Sequence, residues 1–240
     1  MSCAYAATLS GRDIALAHRW AYGGVAASPR RHGIARLGDV SDHLERAAAI
    51  FDEHLAVAHR SRQSLMAEVA ALGTALADAI EGGGKLLVFG NGGSAADAQH
   101  FAAELTGHFA MERDPLPAVA LTTDSSALTA IANDYSFADV FARQATALAT
   151  AGDVAVGIST SGRAENVIRG IQAAGARGAA TWALTGGTGG RLREVADRSI
   201  VVPSDVTARI QEMHITVIHA VCTLLDARIA SRREGQEAAG

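Results

Sequence analysis

A chain of 240 residues, 49% hydrophobic and 19% charged, can bury one sizeable core as a single domain. Its formal net charge of −4 supplies no overall basic field, which argues against nucleic acid as the main partner. Two distant cysteines, Cys3 and Cys222, suggest neither a disulfide framework nor a cysteine zinc site; with no basic-then-apolar leader and no run of eighteen apolar residues, the expectation is a soluble protein of the reducing cytoplasm with no membrane role.

Residues 1–38 hold Gly23-Gly24, Ser28-Pro29 and the basic cluster Arg30-Arg31-His32 without sustained periodicity, and are expected to form a weakly ordered extension. One domain is expected over 39–235. From Ser41 the pattern changes, with Leu44, Ala48, Phe51 and Leu55 at helical spacing. A second helical set, Leu65, Val69, Leu72, Leu76 and Ile80, stops at Gly82-Gly83-Gly84. Two helices thus precede the first strand.

Lys85 to Phe89 has the length and composition of a buried strand, and Gly90, Gly92 and Gly93 then allow a tight turn into a helix that Ser94 is placed to cap. Such a loop aims unpaired N–H groups and the positive end of a helix dipole at any anion. On that helix His100 and Glu104 lie four residues apart, so a base and a carboxylate share one face. Each signal has a plainer reading, because glycine turns are common in α/β proteins and His/Glu pairs at this spacing are often solvated ion pairs.

Strand patterns at 85–89, 118–123, 154–159, 180–185 and 199–203 alternate with helical ones at 94–110, 125–132, 137–150, 163–176 and 206–232. Helices between strands require right-handed crossovers, hence an α/β fold: a three-layer αβα sandwich around a five-stranded parallel sheet. Ligands of such sheets bind outside the carboxyl ends of the strands, so the loops at 90–94, 123–126, 159–163 and 185–189 should share one edge. Ser159-Thr160-Ser161-Gly162 brings three hydroxyls to a helix start; it suits a simple cap as well as a phosphate, and its pairing with the first loop favours phosphate. Nucleotide signatures are absent: there is no Gly-Lys-Ser/Thr loop and no Gly-x-Gly-x-x-Gly with its distant acid. In the last helix Gln211 and His219 are separated by about 12 Å of axial rise, so they could flank one ligand but hardly grip one ion closely unless the helix begins near Gln211, and His214 faces elsewhere as a structural histidine.

Four segments, 89–107, Ala132-Asn133-Asp134, 157–162 and 209–219, resemble in content and order the motifs of the phosphoheptose isomerases, proteins of the sugar isomerase (SIS) domain. The resemblance covers roughly 41–230. It implies that Asn91, Gly92, Gly93, Asn133, Asp134 and Gln211 contact the sugar and that Ser159, Thr160 and Ser161 hold its phosphate. It also implies a zinc ion, one per subunit, at His100, Glu104, Gln211 and His219, with Glu104 and His219 as the acid/base pair. The implied activity is interconversion of sedoheptulose 7-phosphate and D-glycero-D-manno-heptose 7-phosphate, the first step of activated heptose biosynthesis. The implied assembly is a homotetramer, its N-terminal helices packed together and its active sites between subunits. Two departures stand out: Arg163-Ala164 replaces the Asn-Ser common in the phosphate loop, and Ala208 replaces an aspartate found in some members. The alternative is a non-enzymatic SIS-domain regulator that binds the bacterial replication initiator protein; it shares several of these strings but lacks the counterparts of Glu104 and His219.

Overall fold

The computed structural model describes the backbone of residues 40–237 and the side chains of 42–232. The chain divides into two compact units, Met1–Leu44 and Glu45–Gly240, and the second contains the whole sheet. The expected extension 1–38 lies outside the described residues.

All five apolar runs are strands: β1 (Leu86–Gly90), β2 (Ala118–Ala120), β3 (Val154–Ile158), β4 (Ala180–Gly186) and β5 (Arg198–Val202). They pair in parallel in the order β2-β1-β3-β4-β5, with Leu86 opposite Ala118 on one side and Val154 on the other. Alternation of side chains assigns each strand residue to one of two apolar layers. Leu86, Val88, Val156 and Leu184 face the layer built with α1 (Val40–Ser64), α2 (Met66–Glu81), α3 (Gly93–Thr106) and α8 (Thr207–Glu237). Leu87, Phe89, Ala155 and Ala183 face the opposite layer, formed with α4 (Ser125–Asp134), α5 (Val140–Leu148), α6 (Glu165–Ala176) and the short α7 (Gly190–Val195).

The sequence pattern and the structure part in four places. Strand β2 ends at Ala120, three residues before the expected strand does, and α7 forms at Gly190–Val195, where the pattern predicts no element. Helix α3 stops at Thr106 instead of running to 110. Beyond it the Arg113 guanidinium binds the carbonyls of Glu104 and Leu105 at 2.8 and 2.9 Å and pairs with Asp226 of α8 at 2.9 Å. Those carbonyls find a cation in place of a further helical turn. In α1 the buried positions are Val57 and Ser61, while Phe51 and Leu55 are 70% and 63% exposed. Periodicity marks an apolar stripe without saying what covers it. Helix α8 is long and apolar enough over Thr207–Arg232 to cross a membrane by length and composition, but its Ile210, Met213, Val217 and Val221 are buried in the sheet layer.

Candidate active site

The strand order reverses between β1 and β3, and at such a point the loops leaving the two strands diverge and open a crevice. One wall is the Asn91–Gly93 turn. Gly92 has φ of +55°, a left-handed geometry open to glycine, and a Cβ on Gly93 would collide with the Gln211 amide of α8. The bare backbone is what admits Gln211 to the loop. Ser94 lies one residue inside α3, buried, and provides no side-chain cap, contrary to expectation; Gly92 occupies the N-cap.

The other wall is the loop Ser159–Ala164. Gly162 is also left-handed, at +63°, and a Cβ there would strike the Gly189 carbonyl, so the loop is braced on its neighbour. Ser159 is buried, and neither its hydroxyl nor that of Thr160 has a hydrogen-bond partner among the described residues, while Ser161 Oγ accepts from the Arg163 N–H at 3.3 Å. Two uncommitted hydroxyls at the start of α6 suit an anion. A cavity of about 230 Å³ opens beside them, lined by Thr160, Ser161, Arg163, Thr188, Asp205 and Thr207 among others.

A residue that sequence reasoning missed joins the two walls. Asn91 Nδ2 donates to Asn166 Oδ1 at 2.8 Å, and Asn166 Nδ2 returns a bond to Asn91 Oδ1 at 2.9 Å. Asn166 is 4% exposed, so this reciprocal pair is sheltered from water and ties the β1 loop to the start of α6. Part of the Asn91 amide is therefore committed to scaffolding. The only sequence signal was a polar residue two positions inside a helix that is otherwise apolar on that side.

Below the crevice α3 and α8 lie alongside each other with matching register. Gly93 meets Gln211, and seven residues along α3, His100 Nε2 comes within 3.0 Å of His219 Nε2. His100 Nε2 is also 3.0 Å from Glu104 Oε1, and the ligand atoms of His100, Glu104 and His219 all lie within 4.8 Å of one another. Three of the four expected metal-binding side chains thus converge inside one chain. Gln211 lies two turns of α8 away, its amide against the glycine loop. Asn133 and Asp134 end α4, exposed and bonded to each other at 2.8 Å, with no hydrogen bond to either loop.

Burial shapes the local electrostatics. Asp97, one turn before His100, is pushed up to about 6 by desolvation, partly offset by attraction to His100, and its Oδ2 is buried without a hydrogen-bond partner. Burial, with the charges of Glu104 and Asp226, pushes the Cys222 thiol up to about 12, leaving it inert beside the site.

The SIS domain family model matches residues 50–186. A phosphoheptose isomerase of Geotalea daltonii is 51% identical over 190 residues, covering 79% of this chain and 99% of the relative. The chain belongs to the phosphoheptose isomerase family. A probable phosphoheptose isomerase of Thermoplasma acidophilum is 58% identical over 70% of this chain and 93% of its own length. The solved phosphoheptose isomerase of Neisseria gonorrhoeae is 48% identical, covers 77% of this chain and 98% of its own, and superposes with a TM-score of 0.73. The matched residues run through β1–β4 and both loops that wall the crevice, and the geometry adds the His100–Glu104–His219 group.

Proposed function

We propose that this chain is an aldose–ketose isomerase interconverting sedoheptulose 7-phosphate and D-glycero-D-manno-heptose 7-phosphate through an enediol or enediolate. The observation that carries the reading is the meeting of Glu104 and His219, from two different helices, with their ligand atoms within 4.8 Å of each other. The initiator-binding alternative needs neither side chain.

Isomerisation moves a proton between C1 and C2 and shifts protons on the attached oxygens. In this site Glu104, half-buried at the end of a helix turn, takes the carbon proton from one carbon and returns it to the other. His219 exchanges the oxygen protons. Ser159, Thr160 and Ser161 hold the phosphate, while Gly92, Gly93 and Gln211, with Asn133 and Asp134, position the sugar. The reciprocal Asn91–Asn166 bonds keep the two loops at constant separation, so phosphate and carbonyl are presented together.

Two imidazoles and one carboxylate fit zinc: the His nitrogens lie 3.0 Å apart, near the edge of about 3.3 Å that a tetrahedral zinc site sets between nitrogens. His100, Glu104 and His219 would hold the ion, with Gln211 at the mouth of the same cleft. Bound there, zinc would supply Lewis-acid polarisation of the substrate carbonyl.

Exposed Ile50, Phe51 and Leu55, and an apolar groove between α1, α2 and α8 lined by Ala58, Met66, Val69 and Val217, support a homotetramer of the kind the family resemblance implies, with its sites close to subunit boundaries. A cytoplasmic setting suits a phosphorylated metabolite. The test is turnover of sedoheptulose 7-phosphate with and without added zinc, compared with Glu104→Gln. The variant should lose at least about a hundredfold in kcat, the span typical of a general base. Turnover within about threefold of wild type would take Glu104 out of the chemistry.

A further inference from the structure

The cavity beside the hydroxyl loop contains two formal charges, and they oppose each other. Arg163 and Asp205 line it, together with the hydroxyl residues Thr160, Ser161, Thr188 and Thr207. Asp205 is packed at the exit of β5, where a Cβ on Gly187 would meet its Oδ1 at 2.6 Å. Without Arg163 the only formal charge on the cavity wall would be that carboxylate, which repels a phosphate dianion.

Arg163 is also uncommitted. Its neighbours Arg169 and Arg191 are both engaged by Glu165, at 2.8 and 3.1 Å, whereas Arg163 has no ion pair among the described residues. Its N–H is fastened to Ser161 Oγ at 3.3 Å, so the backbone belongs to the hydroxyl loop while the guanidinium stays available. The next residue, Ala164, brings no hydroxyl, and α6 starts without a side-chain cap. Ser159, on the same loop, is buried as a residue, and its hydroxyl has no hydrogen-bond partner among the described residues.

We propose that Arg163 is the specificity determinant of this subsite: its guanidinium offsets the field of Asp205 and donates charge-assisted hydrogen bonds to a phosphate monoester dianion. The selectivity is therefore for phosphate over uncharged sugars, and it weakens with salt because the guanidinium is exposed. The inference rests on the isomerase reading only for the identity of the sugar, since inorganic phosphate probes the subsite by itself.

The experiment measures the dissociation constant of inorganic phosphate by calorimetry at low and raised ionic strength, for the full chain and for Arg163→Gln, Arg163→Lys and Ser159→Ala. Steady-state turnover of sedoheptulose 7-phosphate is followed in parallel. Arg163→Gln should weaken phosphate about fivefold to tenfold, flatten the salt dependence and raise KM by a similar factor, with the change carried by KM more than kcat. Arg163→Lys should recover part of the loss and all of the salt response. Wild-type affinity and salt response in Arg163→Gln, beside weakened binding in Ser159→Ala, would overturn the proposal and leave the hydroxyl loop alone as the phosphate holder. A wild-type chain that fails to turn over the sugar yet binds phosphate in an Arg163-dependent way would sink the isomerase reading and uphold this one.

Discussion

His214 and Asn166 show how differently two buried polar side chains can read from a sequence. His214 was expected to be structural because it points away from Gln211 and His219, and it is fully buried with Nε2 donating to the Thr185 carbonyl at 3.2 Å. Burial pushes it down to about 4, so in the native protein it stays neutral where an unfolded chain would bind a proton. Because the folded value lies below the ordinary 6.5, its stabilisation is present above pH 6.5 and is lost as pH falls toward 4. The loss is on the order of 3 kcal/mol. Asp97, raised to about 6, acts in the opposite sense over the same window, so the readout is the difference in urea unfolding between the wild type and His214→Gln, which keeps a donor but cannot titrate: the wild type should lose stability relative to the variant as pH falls from 6.5 to 4. An unchanged slope in the variant would place the acid sensitivity elsewhere. Asn166 had no comparable signal, since its meaning depends wholly on Asn91, 75 residues away.

Among the elements, α3 and α8 matter most, because their shared register decides whether His100 and His219 meet. Periodicity identified both helices, and four-residue spacing put His100 and Glu104 on one face of the first. It could not show the fastening between them, which is made by irregular chain: Arg113 pairs with Asp226 at 2.9 Å, and the other Asp226 oxygen accepts from the N–H groups of Ala110 and Met111. At the other end Arg209 of α8 donates to the Ile50 carbonyl at 2.8 Å, and Glu212 accepts from His54 Nδ1 at 2.7 Å, tying α8 to α1. The Arg113–Asp226 pair is buried, so removing one partner strands a charge. Asp226→Asn should cost roughly 3 kcal/mol in urea unfolding, by the usual magnitude for breaking a buried pair. The Arg113→Met/Asp226→Leu double variant should be less destabilised than the sum of its singles. Additive losses in that cycle would mean the pair is not coupled.

At the scale of the whole molecule the question is which chain supplies each part of the site. The distance in sequence between the His100/Glu104 helix and the Gln211/His219 helix, together with the assembly the family resemblance implies, made a site shared between subunits attractive. In the structure Glu104 and His219 instead converge within one chain, which removes that geometric reason while leaving assembly around the site open to other residues. Glu104→Gln and His219→Gln subunits, denatured and refolded together, should accordingly regain nothing over the separate variants. Recovery of about a quarter of wild-type activity in mixed oligomers would show that each site takes one of these residues from a neighbour.

The sequence by itself determined the α/β class, all five strands, the two leading helices and most of the loop residues, because burial periodicity, glycine turns and hydroxyl-rich helix starts are local properties of a chain. It also placed His100 and Glu104 on one face, since four residues of helix do so anywhere. Only the tertiary structure decided that His219 completes their group, that Asn166 locks Asn91, that Arg113 ends α3, and that Phe51 and Leu55 stay exposed. Each of these is a pairing across more than one element or a surface left uncovered. Such outcomes depend on how packed layers bring distant segments into register, and no short window of residues carries that information.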